Sequence, residues 1–253
     1  MFAWLRKKSD APAPPPPPPA SEHECVDVLC AIRDRVSAMP AYSEARFPLR
    51  AFYRFYRAQK FDAASTEAVI REFFEWRAAC DVDTVLDAPL PRWDEVQALH
   101  PYGWHGEGRD GHPCFFDRFG MCDPGSFVEI FSSEEAHRHH MWVLEQGRFL
   151  GEQNSAKYGR CIEGSIQIYD LKGFGRKNFN MKALDLIKEF TKIEQRFYPD
   201  LLHKFFLVNA SWLFTAFWKF FSLWLDPTTK AKFIILGMST TLQTFALMFN
   251  TFS

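Results

Sequence analysis

Between residues 24 and 88 the apolar positions repeat at helical spacing. Cys25, Val28, Leu29, Ile32 and Val36 fall on one face, and after Pro48 so do Leu49, Phe52, Tyr53 and Tyr56. Arg50, Arg54 and Arg57 share another face of that second segment, a basic stripe whose ordinary meaning is solvation. Asp62 is placed to cap a third helix, because its carboxylate can accept from the free amides of a first turn. That helix carries Val69, Phe73 and Trp76 on a single stripe.

The pattern changes after residue 95. Asp110-Gly111 is a turn signal, followed by a short apolar run, Cys114–Phe116. Residues 134–148 read as helical. Ser165–Tyr169 alternates apolar Ile166 and Ile168 with Ser165, Gln167 and Tyr169, as a half-buried strand does. Met181, Leu184, Ile187, Phe190, Ile193 and Phe197 recur every three or four residues and predict a helix ended by Tyr198-Pro199. Phe205–Val208 is a strand, Trp212–Leu225 a helix and Phe233–Leu236 another strand. Strands alternating with helices imply parallel pairing with right-handed crossovers, and strands apolar throughout imply a sheet covered on both faces. The predicted class is α/β: a helical N-terminal subdomain over residues 21–90, then a lobe over residues 95–253 with a mainly parallel sheet flanked by helices.

Residues 205–225, FFLVNASWLFTAFWKFFSLWL, form the most hydrophobic window. Asn209 and Lys219 interrupt it, and Asn-Ala-Ser reads as the end of a strand and the start of a helix. A helix from Trp212 to Leu225 would be roughly 21 Å long against a hydrocarbon core of about 30 Å. Thr215, Lys219 and Ser222 make one narrow polar stripe on an otherwise apolar circumference that includes Trp212, Trp218 and Trp224. This is the reverse of a surface helix. Such a helix is either buried in the core or faces something greasy, a lipid or a membrane surface.

Composition sharpens this picture. Of 253 residues 47% are hydrophobic, and 27 are Phe, which calls for a deep core, an apolar ligand cavity or a membrane. Lys+Arg at 30 against Asp+Glu at 31 argues against a nucleic-acid partner held by bulk positive charge. Residues 1–20 read as a tail, with seven of the 16 prolines between Pro12 and Pro19. Its ordinary reading is an extended linker; the sharper one is a docking site, Pro14 to Pro19, for a proline-recognising protein. The six cysteines form no C-x-x-C pair, and no signal-peptide pattern follows MFAWLRKK, so a cytoplasmic chain with reduced thiols is expected. No G-x-S-x-G, phosphate-binding loop or G-x-G-x-x-G is present. His137, His139 and His140 form the one histidine cluster, without a third ligand at a zinc spacing, and read as a solvated helix face. The chain looks like a binder with no catalytic residues, no metal and no cofactor.

Four blocks resemble the CRAL-TRIO lipid-binding family, in its phosphatidylinositol/phosphatidylcholine transfer branch. They are FYRAQKFDAASTEAVIREFFEWRAACDVDTVL (55–86), DGHPCFFDRFG (110–120), QIYDLKGFG (167–175) and YPDLLHKFFLVNASWLFTAFWKFFSLWLDPTTKAKFIILG (198–237), in the family's order. The resemblance implies a helical preface and an α/β lobe whose sheet and facing helices enclose an apolar pocket for one lipid. A mobile helix closes that pocket and opens on membranes. Here it would be Trp212–Leu225, with Trp212, Phe214, Phe217, Phe221 and Trp224 as gating residues.

Headgroup positions carry over one by one. For phosphatidylinositol they are Lys60, Asp200 and Lys232. Gln59-Lys60 stands where the family usually has Arg-Lys, and Asp200 where it prefers Glu. Two ammoniums suit a phosphate, and a carboxylate accepts inositol hydroxyls. For phosphatidylcholine they are Trp104, Phe115, Ser165 and Gln167, where the choline-binding branch has Tyr, Tyr, Ser and Thr. Only Ser165 is retained, so the inositol reading is the better supported. After the position of Gly237 the family continues into a helix and an "LP…GG" segment; the sequence here ends at Ser253, which implies a C-terminally short lobe. Leu242, Phe245, Ala246 and Phe249 fit a short helix.

A phospholipid has about 30 methylenes, and at about 0.8 kcal/mol each, carrying it bare through water costs on the order of 20 kcal/mol. The expected function is therefore a soluble phospholipid-binding and transfer protein, peripherally associated with membranes. The alternatives are a lipid-sensing or membrane-targeting module without transfer, and a monotopic or integral membrane protein using residues 205–250.

Overall fold

The structure is a computed structural model that describes residues 21–225 and 227–237. The proline tail and the helix expected around Leu242–Phe249 lie outside the described residues.

Three helices form the preface: α1 (Val26–Val36), α2 (Leu49–Ala58) and α3 (Ala63–Ala79). Asp62 accepts from the Ser65 amide, as an N-cap should. The helices close on Leu29, Ile32, Phe47, Phe52, Phe55, Ile70, Phe73 and Phe74, all buried, with rings meeting edge to face: Phe47 and Phe73 are 5.5 Å apart at 89°.

The lobe follows as α4 (Trp93–Leu99), β1 (Tyr102–Glu107), β2 (Pro113–Asp117), α5 (Pro124–Ile130), α6 (Ser133–Tyr158), β3 (Ser165–Asp170), α7 (Met181–Phe197), β4 (Leu202–Val208), α8 (Trp212–Phe221), α9 (Pro227–Lys230) and β5 (Phe233–Ile235). The five strands lie side by side in chain order. β1 is antiparallel to β2, and β2 through β5 are parallel. Alternation sorts the side chains. Cys114, Ile166, Ile168, Phe206 and Val208 pack together on one face. Phe115, Gln167, Tyr169, Phe205, Leu207 and Phe233 point to the other, toward α6, α7 and α8.

The expected strands and the helix at 181–197 are present; one further strand appears, and two helices end elsewhere than expected. β1 has no counterpart in the sequence reading, because its YGWHGE carries two glycines and no clean alternation. α6 runs to Tyr158 instead of residue 148. It starts in a reciprocal capping box between Ser132 and Glu135 and stops where Gly159 turns left-handed at φ 61°. α8 ends at Phe221, not Leu225: Leu223 N–H bonds Phe220 O and Trp224 N–H bonds Phe221 O, so the last turn tightens into i→i+3 pairing. None of the described helices is long and apolar enough to cross a membrane.

Candidate ligand-binding site

The sheet face that bears Phe115, Gln167, Tyr169, Phe205 and Phe233 is the floor of a cavity of about 850 Å³. α6 contributes Val143, Leu144 and Gly147, α7 contributes Leu184, Ile187 and Phe190, and α8 contributes Phe214, Phe217, Trp218 and Phe221. The volume lies in the upper part of the range of about 300–1,000 Å³ usual for small-molecule pockets. The interior is therefore not filled by the chain's own side chains, and its walls are mainly hydrocarbon.

A charged group lies on the wall where α2 meets β4 and β5. Arg57 Nη2 is 3.6 Å from Asp200 Oδ2, and Lys232 Nζ is 3.4 Å from Asp200 Oδ1. Lys60 lines the same cavity. Lys232 is held by its backbone, whose carbonyl accepts from Phe205 N–H at 3.0 Å. Lys60 and Asp200 both adopt left-handed backbone, at φ 54° and 59°. For non-glycine residues that costs about 1 kcal/mol or more each, strain of the kind that collects at functional sites. The three inositol-lipid candidates thus all line the cavity, and two of them, Asp200 and Lys232, are paired.

The arginine stripe corrects the sequence reading. Arg50, Arg54 and Arg57 are not merely solvated but line the cavity, with Arg54 paired to Glu163 and Arg50 Nε 3.8 Å from the same carboxylate. Periodicity assigned them to one face; only the tertiary fold turns that face inward. Arg57 is the residue sequence reasoning missed, being the second cation on Asp200.

Trp104, Phe115, Ser165 and Gln167 also meet in the cavity. Trp104 and Phe115 are cross-strand partners with rings 5.1 Å apart. Gln167 Nε2 donates to Ser165 Oγ at 2.9 Å. The Trp104 ring lies against the α6 backbone at Gly147, where a Cβ would come within 2.4 Å of it. The histidine cluster is a second correction. His139 is buried, His140 is nearly so, and both line the cavity, because α6 turns this face toward α7. His140 stacks on Phe190 at 4.1 Å. Burial pushes the His139 pKa down, and its Nε2 donates to Pro91 O at 3.0 Å.

Four buried nitrogens of cavity-lining residues have no hydrogen-bond partner among the described residues: Arg54 Nε, Trp104 Nε1, His139 Nδ1 and His140 Nε2. The last is 3.1 Å from Glu194 but poorly aligned. Buried polar atoms are ordinarily satisfied, by protein, by ordered water or by a bound molecule, so these positions have unused donor or acceptor capacity. His100 and Asp117 add a polar spot, with Nε2 2.9 Å from each carboxylate oxygen. Burial, then the Asp117 charge, pushes up the pKa of neighbouring Tyr102.

α8 covers part of this space. Phe214, Phe217 and Phe221 line the cavity, whereas Trp212 is 83% exposed and Trp224 packs under Lys188 Nζ at 5.0 Å. The helix stands on aromatic contacts: Phe214–Phe174 at 5.4 Å, Phe217–Phe179 at 5.6 Å and Trp218–Phe233 at 4.8 Å. Its end is tethered where Gln195 Nε2 donates to Trp224 O at 3.0 Å.

Residues 98–250 match the CRAL/TRIO domain. The chain belongs to that family. Among its relatives it is 34% identical over 188 residues to phosphatidylinositol/phosphatidylcholine transfer protein SFH4 of Arabidopsis thaliana, covering 73% of this chain and 31% of that one. It is 30% identical over 188 residues to SEC14 cytosolic factor of Eremothecium gossypii, covering 74% and 61%. The chain thus spans about a third of the length of SFH4. The crystal structure of Sfh5 shares the fold, with a TM-score of 0.72 at 17% identity over 88% of this chain and 83% of that one. The CRAL/TRIO resemblance and the α/β fold read from the sequence both hold.

Proposed function

We propose that this CRAL/TRIO chain binds one phospholipid, of phosphatidylinositol type, and exchanges it between membranes, acting as a carrier and not as an enzyme. The observation that carries this reading is the cavity itself, apolar over most of its wall, with Arg57 and Lys232 paired to Asp200 on that wall and Lys60 among its lining residues. The cations would hold the phosphate and Asp200 would accept from inositol hydroxyls. Relatives named as phosphatidylinositol/phosphatidylcholine transfer proteins support the same class of ligand. The choline alternative has Trp104, Phe115, Ser165 and Gln167, with Phe115 lacking a hydroxyl for the phosphate.

In this reading α8 is the door. Its inner face is phenylalanine, while Trp212, Phe220 and Leu223 stand exposed on its outside. Nearby Phe179 and Met181 are also exposed, flanked by exposed Arg176, Lys177 and Lys182, a mixture suited to an anionic bilayer surface. Opening requires only that the bilayer hold this outer face more strongly than aromatic packing holds the inner one. Transfer of labelled phosphatidylinositol between vesicles tests the function. Saturable exchange supports it; binding without exchange indicates a lipid sensor instead.

A further inference from the structure

Away from the cavity, the β1–β2 turn and the start of β4 bring three metal-ligating side chains together. Asp110, His112 and His203 each offer a ligand atom, all within 4.8 Å of one another, and none of the three lines the cavity. The two imidazoles stack with centroids 3.8 Å apart and planes 3° from parallel. His203 Nε2 lies 3.1 Å from Asp110 Oδ2. His112 Nδ1 lies 3.0 Å from Gly164 O.

A carbonyl can only accept, so His112 Nδ1 carries the hydrogen and its lone pair sits on Nε2. A metal-ligating histidine is held in this way, its other ring N–H given to a backbone carbonyl. Asp110 Oδ1 is buried without a hydrogen-bond partner of good geometry. Gly164, at φ 80°, permits the arrangement: a Cβ there would press to 3.0 Å from the His203 amide nitrogen.

We propose that Asp110, His112 and His203 form a binding site for a divalent transition-metal ion, zinc above all. Two imidazole nitrogens and one carboxylate oxygen are a three-ligand set for Zn²⁺, with water in the fourth position; Mg²⁺ and Ca²⁺ prefer all-oxygen sets. To ligate through Nε2, whose hydrogen is now given to Asp110, His203 takes the tautomer with its hydrogen on Nδ1, which frees the Nε2 lone pair without net proton release. The rings, parallel in the structure, would have to tilt for both lone pairs to reach one ion at the usual Zn–N distance of about 2.0–2.1 Å. The ligands come from the β1–β2 turn and from β4, with β3 between, so the ion would cross-link one end of the sheet without entering the lipid space.

The full chain, stripped with chelator, can be titrated with Co²⁺ by visible absorption and with Zn²⁺ against a chromophoric indicator. One tight equivalent is expected. His203→Gln and Asp110→Asn should each weaken it by about 100-fold, the upper end of what even outer partners of a ligand cost. His105→Gln, on exposed β1 next door, should leave it unchanged. Asp110→Asn sits in a turn and leaves both imidazoles in place, so it keeps the test valid if His203→Gln fails to fold. Absence of a tight equivalent overturns the proposal, as does tight binding that survives both ligand substitutions.

Discussion

Arg77 of α3 donates from Nη1 to Glu145 Oε1 of α6 at 2.7 Å, and the two side chains are 0% and 3% exposed. This pair joins the helical preface to the lobe. Asp83 accepts from Arg77 Nε at 3.0 Å, Tyr198 O–H donates to Glu145 at 2.7 Å, and Arg148 reaches the other Glu145 oxygen at 3.1 Å. Phe47 and Phe73 lie against the guanidinium, 4.9 and 5.3 Å from it. Burial disfavours the carboxylate, but Arg77 and Arg148 outweigh it and hold the Glu145 pKa down at about 2.

Removing Arg77 takes from the buried Glu145 carboxylate the nearer of its two cations, leaving Arg148 at 3.1 Å. Arg77→Met should therefore destabilise by about 3–5 kcal/mol, read by urea unfolding, and Arg77→Met with Glu145→Leu should recover part of the loss. The pH dependence follows from the depressed pKa. The stabilisation from Glu145 is complete above the ordinary value of 4.5 and is lost as pH falls toward about 2. Glu145→Gln should flatten that part of an acid-unfolding curve.

The Lys232–Asp200 pair is partly exposed and 3.4 Å long, so its loss should cost at most about 1 kcal/mol of stability. Lys232→Ala is then a clean probe of ligand binding. We expect vesicle exchange of phosphatidylinositol to fall by about tenfold, equivalent to about 1.4 kcal/mol, with Arg57→Ala acting in the same direction. Unchanged exchange in both variants would remove the headgroup assignment.

Gly147 has to stay small because Trp104 occupies the space where its Cβ would be. Gly147→Ala should cost about 1–3 kcal/mol by overpacking, despite alanine's better helix propensity, and should push the indole into the cavity. Adding Trp104→Phe should restore both thermal stability and lipid loading. A stable, fully loaded Gly147→Ala would contradict this packing.

Trp212 and Leu223 are 83% and 75% exposed, so Trp212→Ser with Leu223→Ser should change folding stability by no more than about 0.5 kcal/mol. If α8 docks on membranes, the loss of two side chains worth about 1.5–3 kcal/mol each on full burial should lower binding to anionic vesicles by at least tenfold. Flotation with vesicles measures this, and wild-type flotation by the variant would place the docking face elsewhere.

The α/β alternation, the long helix at 181–197 and the Asp62 cap were legible because each follows a local rule: period, capping or strand alternation. β1 was not, since its glycines hide the period and its place comes only from pairing with β2. Site legibility divided in the same way. Lys60, Asp200 and Lys232 came from resemblance alone, as a lone lysine in a sequence reads as a surface charge. Arg57 and the α6 histidines looked solvated because a helical face has no direction until its neighbours are in place. The Asp110–His112–His203 cluster spans more than 90 residues of sequence, and only the parallel pairing around β3 brings His203 beside His112.

The central claim is that the cavity beneath α8 holds a lipid. Native mass spectrometry of the purified chain tests it most directly. The account predicts one stoichiometric adduct with the mass of a phospholipid, identified after extraction as an inositol lipid and depleted in Lys232→Ala. A folded chain that carries no lipid adduct, and gains none on incubation with phosphatidylinositol vesicles, would contradict it.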